Sequence, residues 1–230
     1  LALRSTGVKV TLCDSDIRAQ SLARDLMGEQ DGDDGGIEDL CIIATPPDFI
    51  ADVIRAESSR NSQLRVMDIS SIKAKPLLDV SKTGFDLSLF APTHPMAGRE
   101  VAGAQSARGD LFTGRSWIIC PSKESSKNSE DIARELIQLC GGVAIQMSAL
   151  EHDRAMALVS HTPQVVASLM AATLKGQESS WFDLIGQGFR DLTRIADSDA
   201  QLWSEILSEN APNIREILAA LRTNIETIEE

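Results

Sequence analysis

Tyrosine is absent from the 230 residues, and aromatic residues make up only 4% of the chain. No phenol can therefore act as an acid or base, and that work falls to three histidines at most. Cysteine is scarce: Cys13, Cys41, Cys120 and Cys140 form no C-x-x-C pair. That spacing argues against a zinc site or a disulfide framework and for a reduced, cytoplasmic protein. Cys13, Cys41 and Cys120 fall in apolar runs, where a free thiol behaves as a small hydrophobe. Positive charge is in deficit, 22 Lys and Arg against 34 Asp and Glu, for a net charge of −12. An acidic surface repels nucleic acid and anionic membranes, so neither is expected as a partner. No apolar run approaches the ~18 residues of a membrane helix, and no signal peptide is visible.

Hydrophobic residues make up 43% and charged residues 24%, ordinary for a globular chain long enough to bury a core. Short runs rich in Val, Ile and Leu at 8–14, 39–46, 65–70, 86–92, 116–121 and 143–147 read as strands. Stretches with helical apolar spacing, such as SDIRAQSLARDLM and SEDIARELIQLC, lie between them. That alternation predicts an α/β fold with a Rossmann-like, mostly parallel sheet over residues 1–147. Acidic or Ser-rich loops are expected at 28–36 and 122–130.

From Ser148 the strand signals stop, and an all-helical dimerisation domain is predicted over 148–230. Ala155, Leu158, Val159, Thr162, Val165, Val166, Leu169 and Met170 form one stripe of period 3.6. Pro163, inside the stripe, should kink the helix and leave a carbonyl near residue 159 unpaired. Ser198 with Gln201 reads as a capping box. Ile214, Leu218, Leu221, Ile225 and Ile228 make a seam suited to a helix–helix interface, which favours a homodimer.

A nicotinamide-binding α/β domain opens with a strand, then G-x-G-x-x-G, then a helix, with an acid about 20 residues on. Here the chain begins in what reads as the tail of that helix, so truncation before the first strand and glycine loop is expected. Asp14 ends the run 8–14, where a carboxylate would accept from ribose hydroxyls; a strand-end acid in a turn fits equally. An acid there repels a 2′-phosphate and favours NAD over NADP. Thr45 and Pro46 close the next strand, at the sheet end where such folds bind ligands.

Four stretches carry chemistry: DISSIKAK (68–75), THPMAGRE (93–100), EHDRAMALVSHTPQ (151–164) and GFRDLTRIADSDAQLW (188–203). In this order they resemble the prephenate and arogenate dehydrogenases, over essentially the whole chain and without the regulatory ACT domain some members carry. The resemblance implies an NAD(P)-dependent enzyme that oxidatively decarboxylates prephenate to 4-hydroxyphenylpyruvate, in the cytoplasm, as a homodimer.

It also implies roles. His94 is the general base for the substrate hydroxyl, and Ser71 bonds that hydroxyl or orients the imidazole. Ser71 could equally N-cap the IKAK helix. Arg194 takes a substrate carboxylate in a planar fork, with Asp191 and Glu100 holding its network. An Arg194–Asp191 surface pair and an exposed loop acid at Glu100 are the plain alternatives. Trp203 walls the pocket or packs in a core.

The segment commonly reads S-H-x-P-H in the family; here it is SHTPQ, so His161 is kept and Gln164 replaces the second histidine. His152 and His161, nine residues apart, fall on opposite helix faces; no shared metal is expected, and His152 is assigned a structural role.

Arogenate, with an amine for the keto group, is the alternative substrate. A non-catalytic dimer without a competent cofactor site is the alternative of another class. A hydroxy-acid dehydrogenase would need a lysine base in the helical segment, which offers only Lys175, beside Gly176.

Overall fold

The computed structural model describes residues 1–28, 38–98 and 103–229, which divide into two units, Leu1–Ala149 and Leu150–Glu230. In the first, β1 (Leu40–Ile43), β2 (Arg65–Asp68), β3 (Phe90–Pro95), β4 (Ser116–Ile119) and β5 (Val143–Gln146) form one sheet in chain order. All neighbours are parallel except β3 and β4, so the mostly parallel sheet expected from the sequence is present.

Side-chain alternation explains why the middle of β2 and the first half of β3 are apolar on both faces. Val66 and Phe90 point to one face, where Ile50, Ile54 and Val80 cover them from α2 (Ile50–Arg60) and α3 (Ala74–Lys82). Met67 and Ala91 point to the other, against Ala133, Leu136 and Ile137 of α4 (Lys127–Leu139). A central strand covered on both faces has no use for polar residues until its end. Residues that break the apolar pattern there are conspicuous, and Asp68, Thr93 and His94 are such residues.

Two expected strands differ. Residues 8–14 pair with no strand among the described residues; Leu12 O accepts instead from Arg24 Nη2 of α1 (Ile17–Met27), 3.0 Å away. A β-rich composition makes a strand only where a neighbour takes the ladder bonds, so Cys13 is exposed rather than packed in a strand. The run 86–92 starts its strand late. Asp86 accepts from Ser88 N at 2.9 Å and caps a 3-10 turn, Leu87–Leu89, which shifts the strand to 90–95 and carries His94 into it.

The second unit is helical, as expected. A helical stretch runs through α5 (Ala149–Met156), a π-helical turn (Ala157–His161) and α6 (Thr162–Ala172). Then come α7 (Gln187–Thr193), a 3-10 turn (Arg194–Asp197), α8 (Ala200–Glu209) and α9 (Ala211–Glu229). Pro163 is accommodated by the π turn: Thr162 N–H bonds Ala157 O, one residue further back than an α-helix would reach. The helical stretch 149–172 contains an 18-residue window with a mean hydropathy of 1.2, long and apolar enough by length and composition to cross a membrane. The window holds no unbroken apolar run of that length, because polar residues are spaced through it, and the core helix of a globular protein passes the same test.

The stripe does not face this unit's interior. Leu158, Val159, Leu169 and Met170 are exposed, while His152, Asp153, Met156, Ala157, His161, Gln164 and Ala167 are buried. The seam of α9 is likewise buried at Ile214 and exposed at Leu221, Ile225 and Ile228. The N-cap of α8 is Asp199, accepting from Leu202 N at 2.7 Å, not Ser198, whose hydroxyl donates to Ile195 O. A carboxylate at the neighbouring position is the stronger acceptor for orphan N–H groups.

Candidate active site

In the first unit, the candidate residues gather where β2 and β3 end side by side. His94 lies next to last in β3, only 9% exposed, opposite Ile118 of β4. Thr93, just before it, is fully buried and held from several sides. Its hydroxyl donates to Asp68 O at 2.7 Å and accepts from Trp117 Nε1 at 2.9 Å, while its N–H reaches Asp68 Oδ1 at 3.3 Å. The β2–β3 ladder ends at the Asp68–Pro92 pair. Pro92 has no N–H to offer, and the next donor along β3 goes to the Asp68 side chain.

Beyond Asp68 the chain turns through Ile69–Lys73. Asp68 Oδ2 accepts from Ser70 N at 3.1 Å and Ser70 Oγ at 2.6 Å. The same oxygen is ion-paired with Lys73 Nζ, which also donates to Ser70 Oγ at 2.9 Å. Both charged side chains are wholly out of solvent. Ser71 sits half-buried in the middle of this turn, and its hydroxyl takes part in none of these bonds. It is not the N-cap of α3; that helix starts at Ala74 with Lys73 at the cap. Sequence reading missed Asp68 and Lys73. The available signal was a pair of opposite charges closing a Ser-Ser turn directly after an apolar strand.

Cofactor candidates lie at the sheet end too. Thr45 follows β1, and its Oγ1 is buried with no partner in the protein. A hydroxyl so placed fits a ligand at the C-terminal end of a parallel strand. Asp14 is exposed; one carboxylate oxygen accepts from Asp16 N at 2.8 Å, which leaves Oδ2 to accept from a diol. Pro46 is extended and exposed. These groups fit the ribose and nicotinamide ends of a dinucleotide. Glu100 lies outside the described residues. In β1, burial above all, then nearby Glu57, pushes the Cys41 thiol up to about 11, away from the reactive thiolate.

In the second unit, His161 closes the π turn and is almost wholly buried. Asn210, between α8 and α9, donates through Nδ2 to Asp153 O at 2.7 Å and meets His161 Nδ1 at 3.0 Å. With Asp153 O an obligate acceptor, that amide must be the donor, so His161 carries its proton on Nε2. Burial is the main reason its pKa falls to about 4, with the His152 charge adding to it and Asp153 opposing. Trp203 presents an edge contact to the ring, 6.0 Å between centroids at 81°. His152, fully buried, pairs through Nδ1 with Asp153 Oδ1 at 2.7 Å. Asn210 was not picked out from the sequence, although Asn before Ala-Pro at a helix stop was legible as a turn.

Gln164, also buried, donates from Nε2 to Ile195 O at 2.9 Å and so anchors the turn that begins with Arg194. Its Oε1, like Thr162 Oγ1, is buried without a partner in the protein. Arg194 is exposed at the end of α7, and Asp191 Oδ1 accepts from Gln187 Nε2 at 2.7 Å. The structure thus brings together His161, Trp203 and Asn210 in one cluster, and Gln164 with the Arg194 turn.

Comparison with known proteins follows the same division. The nucleotide-binding domain of prephenate dehydrogenase matches residues 1–146, and the prephenate dehydrogenase dimerization domain matches residues 148–230. The chain is 30% identical over 231 residues to the probable prephenate dehydrogenase NovF of Streptomyces niveus, covering 100% of this chain and 64% of that protein. A prephenate dehydrogenase of Bacillus subtilis is 29% identical over 179 residues, 75% of this chain and 48% of its own length. The chain therefore spans less than two thirds of these curated relatives. Among solved structures, prephenate dehydrogenase from Aquifex aeolicus, in complex with hydroxyphenyl propionate and NAD+, superposes with a TM-score of 0.87 at 26% identity, covering 99% of this chain and 83% of that one. With both of its units matched in order by the family's two domains, the chain belongs to the prephenate dehydrogenase family.

Proposed function

We propose that the protein is a prephenate dehydrogenase that converts prephenate to 4-hydroxyphenylpyruvate and CO2 with NAD+. The supporting observation is the placement of His94 and Ser71 at the C-terminal ends of adjacent parallel strands, the edge where open α/β sheets bind their ligands. The A. aeolicus relative was solved with NAD+ and hydroxyphenyl propionate, a dinucleotide and an aromatic acid of the kind this chemistry needs. NAD+, when bound, takes the hydride from the hydroxyl-bearing ring carbon; Asp14 would hold its ribose, and Thr45 and Pro46 would border it.

The residues of the chain move the proton. His94 accepts it from the ring hydroxyl as that oxygen becomes a carbonyl, and Ser71 bonds the same oxygen. The C–C bond to the ring carboxylate then breaks, CO2 leaves, the ring becomes aromatic, and the resulting phenolate takes the proton back. Net proton release is zero, which suits a base that needs no other acceptor. Arg194 is assigned a substrate carboxylate, with Asp191 as the neighbouring acid on its own helix. Within the second unit Gln164 offers its unpartnered Oε1 to a ligand donor, and His161 and Trp203 are the further residues assigned to the substrate.

The exposed apolar stripe of the second unit supports a homodimer, and the cysteine usage supports a cytoplasmic setting. We place the functional boundary between residues 147 and 148.

Steady-state assays of the purified protein with prephenate and arogenate, each with NAD+ and NADP+, test the proposal. Turnover is expected to be highest with prephenate and NAD+. A large preference for arogenate reassigns the substrate, and failure to bind NAD+ by titration supports the non-catalytic dimer instead.

A further inference from the structure

The two groups assigned to the substrate hydroxyl sit on different segments of chain, and a single buried carboxylate joins those segments. Asp68 accepts from Thr93 N, the residue before His94, and from the N–H and hydroxyl of Ser70, the residue before Ser71. Its carbonyl takes the Thr93 hydroxyl, and the Ser70 hydroxyl, whose proton goes to Asp68 Oδ2, accepts from Lys73 Nζ, so the turn is closed on both sides of Ser71. Lys73 supplies the counter-charge within the same turn.

We propose that Asp68, with Lys73 as its counter-ion, is a positioning residue that holds Ser71 and His94 in one fixed geometry. The proposal rests on the function given above.

Stability alone does not account for the pair. Taking two charges wholly out of water costs free energy that their attraction only partly returns, and well-packed apolar replacements are often at least as stable. The sheet end is rich in apolar neighbours, among them Ile72 and Met67, so such a replacement was open to the fold. What an apolar pair cannot do is accept several N–H and O–H bonds at once and so lock a turn to a strand. Chemistry needs that lock, since a displacement of about 1 Å can cost a hundredfold in rate. Ser71, whose hydroxyl is outside the network, is held in place without losing the group that meets substrate.

The test is the double variant Asp68→Asn/Lys73→Met in the full protein, which removes both buried charges together and leaves neither unpaired. Its kcat for prephenate should fall roughly ten- to hundredfold with KM changed less than about twofold. Adding Ser71→Ala to it should cost much less than Ser71→Ala costs in the parent, because the geometry Ser71 needs is already lost. A folded double variant with parental kcat, or losses that simply multiply, overturns the proposal.

A readout independent of turnover separates this from failure of the function itself. The chain has three histidines, so the His94 imidazole NMR signals can be assigned with His94→Asn. They should shift or broaden in the double variant while those of His152 and His161 stay put; unchanged His94 signals overturn the positioning role even if prephenate proves to be the wrong substrate. Should the double variant not fold, Ser70→Ala removes only the hydroxyl links. It should show the same imidazole change with a smaller fall in kcat, and no change there overturns the proposal equally.

Discussion

The two units bury different things. In the first, apolar side chains from both faces of the sheet are covered by helices, and the polar groups taken inside, Asp68, Lys73 and Thr93, are bonded to one another. In the second, the buried apolar residues are few, Met156, Ala157, Ala167, Ile206 and Ile214 among the described residues. As many others, Leu158, Val159, Leu169, Leu184 and Ile228, are more than half exposed. The first unit completes its core within itself, while the second spends its inward face on a histidine–asparagine cluster and turns its apolar stripe outward. An exposed apolar face of this kind is a candidate interface, and this segment matches the prephenate dehydrogenase dimerization domain.

The strongest way to test the contrast is to remove chemistry from the first unit alone. His94→Asn is expected to leave both units folded and lower kcat by between a hundred- and ten-thousandfold, the range for a lost general base; circular dichroism with single-turnover kinetics checks it. Next comes the apolar face of the second unit. Leu158→Glu with Leu169→Glu removes two leucines from each subunit, worth about 2 kcal/mol each when covered, so dimerisation should weaken by roughly a thousandfold or more, read by sedimentation. A dimer of unchanged affinity would place the interface elsewhere.

The inward face of the second unit predicts a pH effect. Because the folded His161 pKa of about 4 lies below its ordinary value of 6.5, the unfolded chain binds the proton more readily. Stability from this group is fully present above pH 6.5 and is lost as pH falls from there toward 4, by about 3 kcal/mol in all. Urea denaturation across that window should show the slope, and His161→Gln should flatten it. The smallest effect is that of Arg194→Gln: loss of one charge-assisted contact should raise KM for prephenate about tenfold with kcat nearly unchanged. An equal fall in kcat and kcat/KM would assign Arg194 to the transition state instead.

Sequence patterns reached far into the first unit because strand chemistry is local. Apolar runs at 39–46, 65–70, 116–121 and 143–147 became β1, β2, β4 and β5, since a strand covered on two faces admits little else. They failed at 8–14, where strand composition met no neighbour, and at 86–92, where one aspartate cap delayed the strand. His94 and Ser71 could be chosen as candidates from their motifs. Asp68 and Lys73 were not, because an acid and a lysine five residues apart look like surface groups until both are seen inside.

By itself the sequence determined the two kinds of secondary structure, their order, the apolar stripe of the second unit and the family motifs, all of which depend on residues near one another along the chain. Only the tertiary structure decided which way that stripe faces, that Pro163 is absorbed by a π turn, and that one carboxylate ties Ser71 to His94. Burial and long-range hydrogen bonds are properties of what the fold brings alongside a residue, and spacing along the chain does not carry that information.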